Sequence, residues 1–434
     1  MDLDVHGETL CALVSASALA SSGHAVRLLV QSAEQARALS GREGTSLASF
    51  GEPGLKDLFA EQLASGRLQV EPAGEPGRPA DAVFVALSPA DYDRAGEITA
   101  NQAANQPGDF VLINQSTFPV GSTERLQAII NRARKPGAAP AIAVSLPDLL
   151  QEGAALQGFL RPGHWLLGCD NEQAEQLVRE ILRPFNRRRD ALLVMQPREA
   201  EFTKFAVTGM LATRLSYMNE LANLADTLNV DIEKVRRGLG ADSRIGEAYL
   251  YPGCGFGGQN FSRDVMRLAD SLEQSGVGSE LLDQVLAINE RQKEVLFRKL
   301  WQHYNANLQG RVVGIWGVAF KPGVEVIDNA PSLKLIEALW AQGASVRVHD
   351  PKAMPALRDW AGERAELICC DEPYAVADGA DALCLVTEWK PYWSPDFRRL
   401  RETMRQPVIL DGRNIYDPDY VRENNFCYYG VGRQ

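Results

Sequence analysis

The chain has 434 residues, 45% apolar and 23% charged, with a formal net charge of -11. That is too long for one core and is ordinary for a globular protein of two or three domains. The acidic balance argues against nucleic acid or an anionic membrane as the main partner, while leaving room for a locally basic pocket.

The first third alternates short apolar strands with amphipathic helices. Leu3 to Val5 reads as a strand, Leu10 to Ser22 as a helix and Ala25 to Val30 as a second strand. Gly-Glu-Pro-Gly at 51–54 and the stretch around 73–80 read as loops. Ala82 to Ala86 and Phe110 to Ile113 read as later strands, so βαβ units and a parallel sheet are predicted. From Arg198 to about Leu228 apolar residues recur at helical spacing with no proline and a single glycine, which predicts a long helix linking two halves. A second long helix is predicted over Ser279 to His303. After Gln309 the βαβ pattern resumes in RVVGIWGVAF, SVRVHD, DALCLVTEW and PVILDGR. The fold class is therefore α/β: two Rossmann-like, doubly wound domains joined by a long central helix. The expected divisions are 1–197, 198–305 and 306–434.

No apolar run of roughly 18 residues predicts a membrane span, and no basic leader with a small-residue cleavage site opens the sequence. Seven cysteines lack metal-type spacing, so no metal is expected. They read as reduced thiols of a cytoplasmic protein, Cys254 and the Cys369-Cys370 pair included.

The run DSRIGEAYLYPGCGFGGQNFSRD, residues 242 to 264, resembles the signature of the UDP-glucose/GDP-mannose dehydrogenases. In that family an RIG segment precedes a Gly-Phe-Gly-Gly turn and then Ser-Cys-Phe-Pro-Lys-Asp. STFPVGST at 116–123, LPDLLQEGAALQGFLRP at 146–162, and VTEWKPYWSPDFRRL with DGRNIYDP extend the resemblance over the whole chain in the family's order. The resemblance implies oxidation of the C6 alcohol of a UDP- or GDP-sugar to a carboxylate, with NAD as cofactor. It implies NAD on the first Rossmann domain, the sugar nucleotide on the last, and a homodimer through the central helix. UDP-glucose dehydrogenases are the nearest match, which implies polysaccharide biosynthesis.

By the same resemblance Lys204 would stabilise an oxyanion, Asp264 would activate water and Thr117 would position it. Asp148 stands for a family glutamate and Glu152 is retained, while Thr208 replaces an asparagine. Arg244 would reach the sugar phosphate across the dimer, and Tyr249 and Leu250 would lie along the nucleotide. Gly255, Phe256, Gly257 and Gly258 would form the hexose turn, and Lys321 and Arg413 would meet the diphosphate.

The departures fall on chemistry and cofactor. The family's nucleophilic cysteine aligns with Asn260, and an amide forms no thioester. The dinucleotide fingerprint is Gly7-Glu8-Thr9-Leu10-Cys11-Ala12. Gly7 survives and Ala12 is tolerated, but Thr9 replaces the glycine that lets backbone approach pyrophosphate. Glu8 is expected to repel that dianion. Val30 replaces the acid that takes the ribose hydroxyls, and Asp328 replaces an arginine facing the cofactor. The expectation is a UDP-sugar binder impaired in catalysis. An active NAD-dependent oxidoreductase and a structural partner of an active paralogue are the alternatives.

Overall fold

The computed structural model describes residues 1–41, 51–74, 79–187 and 190–433. Residues 75–78, inside the predicted 73–80 loop, lie outside that description. The chain divides into two compact units, Met1–Ala206 and Val207–Gln434, and the division falls within one helix, Pro197–Leu228.

In unit 1 the strands β1 (Asp2–His6), β2 (Ala25–Val30), β3 (Leu68–Pro72), β4 (Ala82–Val85), β5 (Phe110–Asn114), β6 (Ala141–Ser145), β7 (Trp165–Gly168) and β8 (Leu192–Met195) form one sheet. Its order is β3-β2-β1-β4-β5-β6-β7-β8, and every pairing is parallel except β6 with β7. The crossovers bury both faces, so the strands are nearly continuous apolar runs. One exception is charged. Asp4 of β1 and Arg27 of β2 are register partners, and two bonds of 2.7 Å join them with both side chains buried. Helix α1 (Leu10–Ser21) is Ala-rich and buried from Cys11 through Ala20, so it can lie flush against its neighbours. The strand order reverses between β1 and β4, and ligands of such sheets bind at that switch point.

Unit 2 carries helices 232–241, 259–274, 280–292 and 295–303 ahead of a second sheet. Its strands are β9 (Val312–Trp316), β10 (Ser345–His349), β11 (Leu367–Cys369), β12 (Ala382–Leu385), β13 (Val408–Asp411) and β14 (Cys427–Tyr429). The order β11-β10-β9-β12-β13-β14, all parallel, repeats the first sheet's pattern, with its switch point between β9 and β12. The single helix expected over Ser279 to His303 is two helices. At the break the Arg291 carbonyl accepts from the Glu294 N–H at 3.3 Å and from Arg298 Nη1 at 2.9 Å, leaving the helical pattern.

The core of unit 2 joins the second half of the long helix (Met218, Ala222, Ala225) to the sheet. The last described residues close it. The Ile232 N–H donates to the Gly432 carbonyl at 2.9 Å, and Arg433 pairs with Asp231 at 3.0 Å. A Cβ on Gly432 would lie 2.8 Å from Ala222. Among the described residues no helix is long and apolar enough to cross a membrane.

Candidate functional site

The fingerprint turn of unit 1 sits at its switch point. Gly7 has φ +140°, and a Cβ there would lie 2.2 Å from the Ala86 carbonyl oxygen, so only glycine fits. Thr9 caps α1: its hydroxyl accepts the Ala12 N–H at 3.2 Å and donates to the Ala86 carbonyl at 2.7 Å. The side chain thus spans the crevice from α1 to the end of β4. It also takes up a helix N–H that would otherwise face an anion. Glu8 does not stand as the unbalanced charge expected from the sequence. Arg94 holds both its oxygens at 3.0 Å, and its Oε1 also accepts the Gln31 N–H. Val30 is fully buried in the sheet core and offers nothing to a ribose. The crevice of unit 1 thus carries a hydroxyl between α1 and the end of β4, and an ion-paired carboxylate at the end of β2.

Beside the fingerprint, His6 is buried at the end of β1, near Gln102 Nε2 at 3.3 Å. Burial, with the charges of Arg94 and then Arg27, lowers its pKa to about 3.

Also in unit 1, Asp148 and Lys204 come together. Burial raises the Asp148 pKa, and the Lys204 ammonium opposes that rise. The Leu150 N–H donates to Asp148 Oδ1 at 2.7 Å, which sets the carboxylate's direction. Cys11, on the first turn of α1, feels both residues, and its thiol is raised chiefly by burial. Thr117 lies half-buried in the loop after β5, and Glu152 half-buried in the turn before helix 155–160. Glu201 carries no motif of its own in the sequence. It is buried on the first turns of the long helix and accepts the Gly121 N–H at 2.6 Å, the Thr123 N–H at 2.8 Å and the Thr123 hydroxyl at 2.7 Å. It thereby ties the 116–123 loop to the helix that carries Lys204 one turn later. An acid at the start of an amphipathic pattern reads as solvated, so no local signal marked it.

In unit 2 the glycine turn is held by amides from three buried residues. Asn289 acts as a backbone substitute: its Oδ1 accepts the Phe256 N–H at 2.8 Å and its Nδ2 donates to the Phe256 carbonyl at 3.0 Å. Gln292 Nε2 donates to the Gly253 carbonyl at 2.7 Å, and Asn219 Oδ1 accepts the Gly253 N–H at 2.9 Å. Gly257 lies against the sheet domain: a Cβ there would be 2.7 Å from the Asn329 carbonyl oxygen. Gly258, at φ +85°, would strike the Phe320 ring at 2.8 Å, and its N–H donates to the Asp328 carbonyl at 2.9 Å. Asp328 therefore serves through its backbone, with its side chain exposed. Phe256 and Phe261 meet edge to face at 5.1 Å.

Helix 259–274 starts directly after this turn. Asn260 is exposed on its first turn, and its Oδ1 accepts from Arg263 Nη2. Asp264, one turn on, is buried, and so is Thr208 on the long helix. Lys293 is wholly buried. Its ammonium donates to Glu290 at 2.6 Å and to Asn329 Oδ1, while Asn329 Nδ2 donates to Ser262 Oγ at 2.9 Å. Arg413, past the end of β13, reaches the switch point: Nε donates to the Val386 carbonyl at 2.7 Å and Nη1 to the Gly255 carbonyl at 3.3 Å. Lys321 is half-buried, its Nζ 5.2 Å from the Phe320 ring centre. Arg244 is 86% exposed and pairs with Asp242 at 2.7 Å. Tyr249 is half-buried in a left-handed conformation, and Leu250 packs into the core. Cys254 is buried and its thiol is raised by that burial, in keeping with a core residue. Among the described residues no group of His, Cys, Asp or Glu is arranged to hold a metal.

Three family models match in order. Residues 1–186 match the NAD binding domain of the UDP-glucose/GDP-mannose dehydrogenase family, 198–291 its central domain and 314–418 its UDP binding domain. The chain is 40% identical to a UDP-glucose 6-dehydrogenase of Pseudomonas aeruginosa, over 100% of this chain and 98% of the relative. It is 32% identical to one of Rhizobium meliloti, over 88% of this chain and 89% of the relative. A solved UDP-glucose dehydrogenase from Pyrobaculum islandicum superposes with a TM-score of 0.86 at 28% identity, covering 100% of this chain and 98% of that one.

Proposed function

The chain belongs to the UDP-glucose/GDP-mannose dehydrogenase family, and from that premise we propose that it binds a UDP-hexose in unit 2 without oxidising it to the uronate. One observation carries this reading. The side chain on the first turn after the glycine turn, where the family has its thiolate, is the amide of Asn260. Without a nucleophile there is no covalent intermediate to carry a second oxidation. The binding half is supported by the glycine turn, where Asn219, Asn289 and Gln292 hold the backbone ready for a close-fitting ligand. Arg413 and Lys321, near the switch point of the second sheet, supply cationic groups of the kind a diphosphate needs. Arg244, exposed on its loop, is in keeping with a phosphate contact made across a subunit interface.

The long helix supports a homodimer. Met210, Tyr217 and Leu224 recur every seven residues and are 61%, 52% and 51% exposed, an apolar stripe suited to a second copy or to an active paralogue. A second reading is favoured by the Asp148–Lys204 pair, which retains an acid and a cation for oxidation to the aldehyde alone.

Calorimetry with UDP-glucose tests the first reading. Binding of about -4 to -8 kcal/mol is expected, with no NADH absorbance when NAD is added. Absence of heat from UDP-glucose would remove the binding half. NADH formation by the native chain would put the second reading in its place.

A further inference from the structure

Among the described residues the left-handed backbone region holds glycines, the asparagines Asn229, Asn305, Asn329, Asn414 and Asn425, and two others. Asparagine tolerates that region through its short polar side chain. Of the two others, Ala306 is small and follows the end of helix 295–303. The second is Tyr249, at φ +57°. A bulky side chain held there costs a factor of about 5 to 30 in the folding equilibrium.

Both flanks of Tyr249 are fixed, which is what such a conformation needs in order to persist. Before it, Arg214 of the long helix donates through Nη2 to the Ile245 carbonyl at 3.0 Å and to the Gly246 carbonyl at 2.8 Å. After it, Leu250 is 3% exposed in the core of unit 2. Tyr251 precedes Pro252, which favours extended backbone. Asn219 and Gln292 then hold the N–H and carbonyl of Gly253, the start of the glycine turn.

The fold makes no visible use of the side chain that carries this cost. Tyr249 is half-buried but belongs to no hydrophobic core cluster. Among the described residues its hydroxyl has no hydrogen-bond partner and its ring no ring partner. Burial raises the phenol's pKa, so at neutral pH it is an intact O–H, able to donate to a ligand oxygen without adding a charge.

We propose that Tyr249 is a ligand-positioning residue kept under backbone strain, so that unit 2 is less stable than its frame allows and its sugar-nucleotide site is the better for it. The proposal rests on the reading that unit 2 binds a UDP-hexose. It adds that the strain and the ligand contact belong to one residue.

Urea unfolding, and calorimetry with UDP-glucose, of the native chain, Tyr249→Phe, Tyr249→Ala and Tyr249→Gly test it. Glycine is ordinarily the less stable of the two truncations. Here Tyr249→Gly should unfold at higher urea than Tyr249→Ala, by a factor of about 5 or more in the folding equilibrium. Both should bind UDP-glucose at least about 10-fold more weakly than the native chain, so that the steadier backbone gives no better site. Tyr249→Phe keeps the ring and should keep the native urea midpoint, yet bind about 3- to 10-fold more weakly through loss of the hydroxyl. That variant also carries the test should a truncation fail to fold. Tyr249→Ala unfolding at or above Tyr249→Gly would overturn the proposal. So would UDP-glucose affinity that none of the folded variants weakens, and in both cases the UDP-hexose reading would stand. No heat from UDP-glucose with the native chain would overturn both.

Discussion

Replacing Arg27 by Met should be among the most damaging single changes in unit 1. The guanidinium and the Asp4 carboxylate face each other across β1 and β2, joined by two 2.7 Å bonds, with side chains 6% and 3% exposed. With charge centres about 4 Å apart and an effective dielectric of about 20, the attraction is about 4 kcal/mol. Truncating one partner also removes both short bonds from a carboxylate held inside the sheet, so Arg27→Met should destabilise by about 3–5 kcal/mol. Replacing both with valine, which suits a strand covered on two faces, should come within about 1.5 kcal/mol of the native chain. Urea unfolding at neutral pH measures both. A single variant that costs less than about 1 kcal/mol, the scale of an exposed pair, would refute the reasoning. So would a double variant as unstable as the single.

Three further outcomes are expected. His6 is held neutral, with a pKa of about 3 against an ordinary 6.5. The unfolded chain therefore binds the extra proton first, and stability is lost as pH falls from 6.5 toward 3. Roughly 2 kcal/mol of that loss lies between pH 6.5 and 5, and urea midpoints of His6→Leu should omit it; parallel pH profiles would disprove the assignment. Gly257→Ala places a methyl 2.7 Å from the Asn329 carbonyl oxygen. It should cost about 1–3 kcal/mol of stability and weaken UDP-glucose at least about 10-fold, and unchanged affinity would separate the turn from the sugar site. Asn260→Cys should restore a thiol that a maleimide labels, yet give no NADH with UDP-glucose, because Glu8 and Thr9 remain in the crevice. Full NAD-dependent turnover from that one change would show the crevice to be competent.

The periodic parts of the chain are legible in the order of its residues. β2 ends where the apolar run ends, at Val30, and the long helix spans Pro197–Leu228 against a reading of Arg198 to about Leu228. Both follow from burial of an uninterrupted face, which the order of residues displays directly. Contacts between distant residues were not readable. Glu8 looked like a repulsive charge because Arg94, which neutralises it, is 86 residues away. Thr9 was legible as an obstruction, but its bond to Ala86 depends on β1 and β4 being neighbours. Asn219, Asn289 and Gln292 carry no local mark that distinguishes an amide holding a turn from one facing water. The split of the Ser279 to His303 stretch was equally hidden, since Lys293 and Glu294 are both good helix formers.

The closing contacts of unit 2 also bear on how the chain folds as it is made. Unit 1 draws its whole sheet from residues up to Met195, so it can assemble while the rest is still being translated. Unit 2 has no such head start. Its second sheet lacks β14 until residues 427–429 appear, and Gly432 and Arg433 still have to reach Ala222, Asp231 and Ile232, some 200 positions earlier in synthesis. Until residues 431–433 leave the ribosomal tunnel, Ala222 of the long helix and the Ile232 N–H wait for their Gly432 partners. A stop or frameshift only a few codons before that point would release a chain whose first unit is native and whose second is a target for chaperones and proteases.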